Sequence, residues 1–158
     1  MASSLSETVL LSLLLFLTLH QACAEMTHLH FYFHVDHVES NSTDYGAISV
    51  LDESLREGQD NSSTLIGRGQ GLQAEVGKDG SFLTMFNLLF IDEKYNGSTL
   101  AIYGRAPLGT TIERPVIGGT GKFRMAKGYS LATPLVFTAT QIVYEYNVYV
   151  WHIEMKDD

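Results

Sequence analysis

Histidines at a spacing of two open the strand-like part of the chain. The run Thr27-His28-Leu29-His30-Phe31-Tyr32-Phe33-His34-Val35-Asp36-His37 puts His28, His30, Tyr32, His34 and Asp36 on one side of an extended strand. Two imidazoles in a His-x-His pair can hold one metal ion when a third ligand joins them, and His152 or Glu145 would have to supply it. The plainer reading is a polar strand face whose histidines are hydrogen-bonded, and it is the one adopted here, with neither metal nor cofactor expected. Carboxylates suited to general acid or base work stand at Asp36, Asp52, Glu113 and Glu145, but spacing alone pairs none of them. Tyr32, Tyr103, Tyr144, Tyr146, Phe86 and Phe90 suit a pocket for a flat, largely apolar ligand with a few polar handles.

Other chemistries fail on their own residues. Gly118-Gly119-Thr120-Gly121-Lys122-Phe123-Arg124 is glycine-rich, yet a phosphate-binding loop needs Gly where Val116 stands and Ser or Thr where Phe123 stands. A dinucleotide fingerprint needs Gly in place of Arg124. The stretch reads instead as a glycine turn between strands. No Gly-x-Ser-x-Gly elbow is present to carry a hydrolase serine.

The elements that would position these groups are strands. Val, Ile, Tyr, Phe and Thr fall in short runs broken by Gly, Asn, Asp and Ser, which is the pattern of an all-β chain. Strands are expected at 27–38, 46–52, 64–77, 81–92, 98–106, 110–117, 122–132 and 135–153, the last with room for a bend. Lys78-Asp79-Gly80 and Asn96-Gly97 mark turns, and 53–63 reads as an exposed polar loop. Residues 81–92 are apolar on both faces: Phe82, Phe86, Leu88 and Phe90 on one, Leu83, Met85, Leu89 and Ile91 on the other. The run 142–153 behaves alike. A strand with one wet face would alternate cleanly. The expectation is therefore a barrel with part of its outer wall covered by self-association, and the competing architecture is a sandwich.

The N-terminus reads as a secretory signal. Residues 9–19 form a short apolar run, followed by His20-Gln21 and the small-x-small pattern Ala22-Cys23-Ala24. Cleavage there removes 24 of 158 residues and leaves 134, enough for one domain with a sizeable core at 25–158. The lone cysteine, Cys23, leaves with the signal, so the mature chain has no disulfide, no cysteine ligand and no cysteine nucleophile. All ten Lys and Arg follow residue 24 against 17 acids, a net charge of −7 with His neutral. That balance argues against nucleic acid and anionic membrane as partners. Sequons at Asn41, Asn61 and Asn96 agree with secretion and are expected to be glycosylated.

Several segments together resemble the plant dirigent family. They are His28-Leu29-His30-Phe31-Tyr32-Phe33-His34, Leu65-Ile66-Gly67-Arg68-Gly69-Gln70-Gly71, Tyr95-Asn96-Gly97-Ser98-Thr99-Leu100, Ile102-Tyr103-Gly104-Arg105, Pro115 through Tyr129, and Tyr144-Glu145-Tyr146-Asn147-Val148-Tyr149-Val150. The set occurs in family order across nearly the whole mature chain. It implies an eight-stranded antiparallel β-barrel of the allene oxide cyclase-like type, secreted to the apoplast, glycosylated and homo-oligomeric, a trimer before a dimer. It implies stereoselective coupling of phenoxy radicals of the coniferyl alcohol type to lignans. The radicals are made by an external laccase or peroxidase, and the protein has no oxidising activity or cofactor of its own. The alternatives are a cyclase or dehydratase acting on a quinone methide, and a small-molecule binder in defence or lignification. The resemblance points to Asp36 and Arg105 as catalytic residues and to Tyr103, Phe86 and Phe90 as the pocket. Two departures stand out. Val35 occupies the position after Phe-His where the family commonly has Asp, and Asp36 follows one later. Ile112 occupies the position of the family's pocket arginine, and Arg114 lies two residues on.

Overall fold

The structure is a computed structural model, and it describes Ser12 and residues 24–35, 46–138 and 141–153. Eight strands follow in order: β1 (Ala24–Val35), β2 (Ile48–Arg56), β3 (Leu65–Glu75), β4 (Phe82–Phe90), β5 (Thr99–Ala106), β6 (Ile112–Thr120), β7 (Lys127–Phe137) and β8 (Ile142–Ile153). Each pairs antiparallel with the next, and β8 returns to β1, so the sheet closes into a barrel. The all-β eight-stranded barrel is thus as expected, and the sandwich is set aside. The seams are unequal. Among the described residues, β1 pairs with β8 over twelve residues and with β2 over Tyr32–His34.

Some boundaries differ from the expectation for local reasons. Residues 53–56 belong to β2, because Glu53 and Leu55 continue its ladder opposite Gly69 and Gly67. The polar loop is therefore shorter, and Arg56 and Ser63 tie its ends: Arg56 Nη1 donates to Ser63 O at 2.6 Å. Residues 121–123 form a short 3-10 turn rather than the start of β7, with Gly121 at φ +60. The long C-terminal run is divided into β7, ending at Phe137, and β8, starting at Ile142, and Thr138 N–H and hydroxyl both donate to Gln141 O.

The period of two sorts every strand. Leu29, Phe31 and Phe33 point into the barrel, with Leu55, Phe86, Leu88, Leu100, Ile102, Val116, Tyr146 and Val148 from the other strands. On β3 the inward positions are Gly67, Gly69 and Gly71, which leave space that larger neighbours fill. A Cβ on Gly69 would sit 2.3 Å from the Phe33 ring. One end of the lumen is plugged: Phe123 from the 3-10 turn packs on Phe90 at 5.5 Å and on Tyr95 at 4.8 Å.

The apolar outer faces are covered only in part. On β8, Tyr149 lies between His28 and Tyr129, stacked at 4.4 and 5.1 Å. On the far wall, Val50, Leu72, Met85 and Tyr103 pair in one row across β2, β3, β4 and β5 and are 78, 41, 43 and 42% exposed.

Candidate functional site

The polar groups that face the lumen lie away from the plug. On β6, Ile112, Arg114 and Val116 alternate inward and are all buried. Arg114 is 4% exposed. Its Nη1 donates to Thr84 Oγ1 at 2.9 Å, its Nη2 donates to the Tyr146 hydroxyl, and its Nε is buried without a partner among the described residues. The guanidinium carbon lies 5.0 Å from the Phe86 ring centroid and 5.7 Å from that of Tyr146. The stem passes Gly104, at φ +148, where a Cβ would meet Arg114 Cγ at 3.3 Å.

The aromatic wall is built around Tyr146. Phe31 and Phe33 stack on it at 5.4 and 5.3 Å, and Phe33 meets Phe86 at 5.7 Å. Burial raises the Tyr146 phenol above its usual value, and the nearby Arg114 charge offsets this only in part. Tyr144, on the same face of β8, is raised for the same leading reason. Both are therefore neutral phenols near neutral pH. Register adds two further groups: Glu53 alternates with Leu51 and Leu55 and faces Gly69, and Gln73 pairs with Thr84. Both are partly buried.

The residues singled out in the sequence fall in different places. Phe86 lies in the lumen beside Arg114, and Phe90 belongs to the plug. Tyr103 and Arg105 are corrections, for both are on the outer wall. Ile102, Gly104 and Ala106 are the inward positions of β5, and a shift of one residue reverses the side. Arg105 instead pairs with Asp79 and donates to Ser81 Oγ at 3.2 Å. Asp36 and Asn41 lie outside the described residues. Asp52 and Glu145 are also outward, bonded to Arg68 at 2.5 Å and His30 at 2.8 Å, and Glu113 is exposed. The histidine row does not converge: His28 meets Asn147, His30 meets Glu145, and His34 is folded under the β2–β3 loop. His34 bonds Gly58 O through Nε2 at 3.1 Å and Asn61 Oδ1 through Nδ1 at 2.7 Å, and Gln141 donates to the same Oδ1 at 2.9 Å. Asn61 and Asn96 are both exposed. Sequence reasoning missed Glu53 and the central role of Arg114. The signal for Arg114 was its place between Ile112 and Val116 at period two.

The chain is thus a closed barrel whose aromatic lumen holds a few convergent polar groups. The family model for dirigent-like proteins matches residues 26–151, so the chain belongs to the dirigent family. It is 42% identical to dirigent protein 21 of Arabidopsis thaliana over 148 residues, covering 81% of this chain and 78% of that protein. It is 32% identical to pterocarpan synthase 1 of Glycyrrhiza echinata, covering 81% and 79%. Among solved structures, the pterocarpan synthase dirigent protein GePTS1 superposes with a TM-score of 0.77 at 29% identity, covering 83% of this chain and 90% of that one.

Proposed function

We propose that the protein steers the stereochemistry of phenoxy radical coupling. In this reading an external laccase or peroxidase removes one electron and one proton from each of two phenols of the coniferyl alcohol type. The two radicals then join through one new carbon–carbon bond, and the protein contributes no electrons. Its contribution is orientation: a rigid wall exposes one pair of faces. The observation that carries the reading is the lumen itself, where Phe31, Phe33, Phe86 and Tyr146 surround the Arg114–Thr84–Tyr146 hydrogen bonds. A wall of flat rings beside fixed donors suits a phenolic ring with oxygen substituents. Incubation with coniferyl alcohol and an oxidase, followed by chiral chromatography, tests it: an enantiomeric excess is expected, and a racemic product rejects lignan coupling.

A second reading has its own support. Relatives at 32% identity are pterocarpan synthases, and the lumen holds two neutral phenols, Tyr144 and Tyr146, beside a guanidinium. Such groups suit ring closure on a quinone methide: a substrate hydroxyl forms the new carbon–oxygen bond and releases its proton, a phenol delivers one to the carbonyl oxygen, and the released proton restores the phenol. It predicts turnover with no oxidase present. Lumen polarity disfavours the third reading, a passive binder with a wholly apolar cavity.

The remaining parts of the proposal concern its setting. The protein acts in the extracellular space after loss of residues 1–24, glycosylated at Asn41, Asn61 and Asn96. It works as a homo-oligomer, a trimer before a dimer, with the Val50–Leu72–Met85–Tyr103 row as the covered surface. An apolar row of this kind supports association, because isolated soluble barrels seldom leave one open.

A further inference from the structure

The charge on Arg114 is not balanced by the described protein. The ion pairs His30–Glu145, Arg68–Asp52 and Arg105–Asp79 all lie on the outer surface. Arg114 is buried, and among the described residues it meets two hydroxyl oxygens and two ring faces. A buried guanidinium without a counter-ion is strongly unfavourable. The neighbouring phenols do not neutralise it, because burial keeps both protonated. The lumen-facing carboxylate, Glu53, is on β2, four strands around from β6 and so on the opposite wall. Three of the five N–H donors of a guanidinium remain beyond those given to Thr84 and Tyr146; the Nε–H is closed off by the surrounding protein, which leaves one on each of Nη1 and Nη2 for a ligand.

We infer that the lumen selects an aromatic carboxylic acid over the matching alcohol, and that Arg114 is the selecting residue, its free N–H groups donating to the ligand carboxylate. This rests on the lumen being the phenolic site proposed above, and it adds a preference for the acid among the phenols that site takes. Arginine suits the task because its fork matches a carboxylate and keeps its charge at every physiological pH.

The test uses equilibrium dialysis of the mature protein without any oxidase. The probes share one skeleton: ferulate, coniferyl alcohol, and 3,4-dimethoxycinnamate, which keeps the carboxylate and has no phenol. Ferulate and dimethoxycinnamate are expected to bind similarly and about tenfold or more tighter than the alcohol, the range for a hydrogen bond to a charged partner. Equal or tighter binding of the alcohol overturns the inference. So does tight ferulate with weak dimethoxycinnamate, which would place the phenol at Arg114. So does the absence of binding by all three. Arg114→Met is expected to bring the acid-to-alcohol ratio down toward one, and Arg114→Lys, which keeps the charge and loses the fork, to lower it to an intermediate value. Circular dichroism checks their fold, and the lysine variant keeps the test open should the methionine variant fail to fold. In wild type, ¹⁵N spectra supply a readout that a merely structural arginine would not move: the Arg114 Nε–H resonance shifts with ferulate and not with the alcohol. An unmoved resonance also overturns the inference. Failure of the coupling reading looks different. A racemic product alongside Arg114-dependent ferulate binding leaves this inference standing, and a biased product without acid preference removes this inference alone.

Discussion

Replacing Gly69 by Ala tests how tightly the lumen is filled. The added methyl would lie 2.3 Å from Phe33 Cε2 and 2.6 Å from Cζ, well inside van der Waals contact. Phe33 has little freedom to withdraw, because Phe86 and Tyr146 hold it from two sides. Overpacking of this kind costs about 1–3 kcal/mol. The lost flexibility of the unfolded glycine returns about 0.4–1 kcal/mol, for a net loss of about 0.5–2.5 kcal/mol. With an unfolding entropy of about 2.1 cal/mol/K per residue over 134 residues, the midpoint should fall by about 2–9 °C. Thermal melts by circular dichroism at fixed protein concentration measure it. Gly118→Ala is the control, since nothing lies within 4 Å of its Cβ, and it should melt at or slightly above wild type. Adding Phe33→Leu to Gly69→Ala should cost less than the two changes summed, by about 1 kcal/mol, because each relieves the other. A Gly69→Ala protein that melts at or above wild type refutes the packing argument.

Further predictions address other parts of the molecule. Asn61→Ala removes the acceptor shared by His34 and Gln141 and leaves a buried ring nitrogen unpaired, at a cost of about 1–3 kcal/mol; hydrogen exchange should quicken in residues 57–64. Met85→Glu puts a charge in the middle of the exposed apolar row, and sedimentation should then show monomers where wild type associates, with the melting temperature of the fold little altered on its own. The Tyr144 and Tyr146 phenols are raised above 10.0 by desolvation, so they keep protons that the unfolded chain gives up. Stability is therefore intact below pH 10 and declines as pH rises past it; ultraviolet titration should show a late phenolate step that shrinks in Tyr146→Phe. Asp79 is lowered from 3.8, chiefly by the Ser81 hydroxyl. Its contribution is present above that value and fades as pH falls below it, so Asp79→Asn should flatten the acid limb of the stability curve.

The barrel was legible because its strands are short, β-branched and aromatic, and because alternation follows from the pleat alone. Most of the lumen could be read the same way: Phe86 and Tyr146 are inward by parity. The site was legible only in part. Arg105 and Tyr103 were drawn from motif position, and on β5 the inward side belongs to Ile102 and Ala106. Motif matching carries residue type and order but not the side of the sheet. Glu53 was lost because, with Ser54, it opens the polar run 53–63, which looks like a loop. Only the pairing with β3, a long-range fact, makes them strand. His34 was read as part of a polar face, yet it is fully buried, because the covering loop comes from residues 57–63 and nothing local announces it.

The unequal seams of the barrel set a timetable for its making. The first strand finds nearly all its backbone partners on the last, with side chains such as His28 and Asn147 meeting across 119 residues. At roughly 5–20 residues per second, synthesis leaves Leu29, Phe31 and Phe33 without those partners for about 6–24 seconds. Among the described residues, the partnership β1 has before then is the pairing of Tyr32–His34 with β2, which reaches Phe33 alone of the three. A ribosome stalled anywhere before β8 would therefore present an apolar strand that nothing in its own nascent chain can fully cover, which makes the N-terminal strand the natural first client of a chaperone.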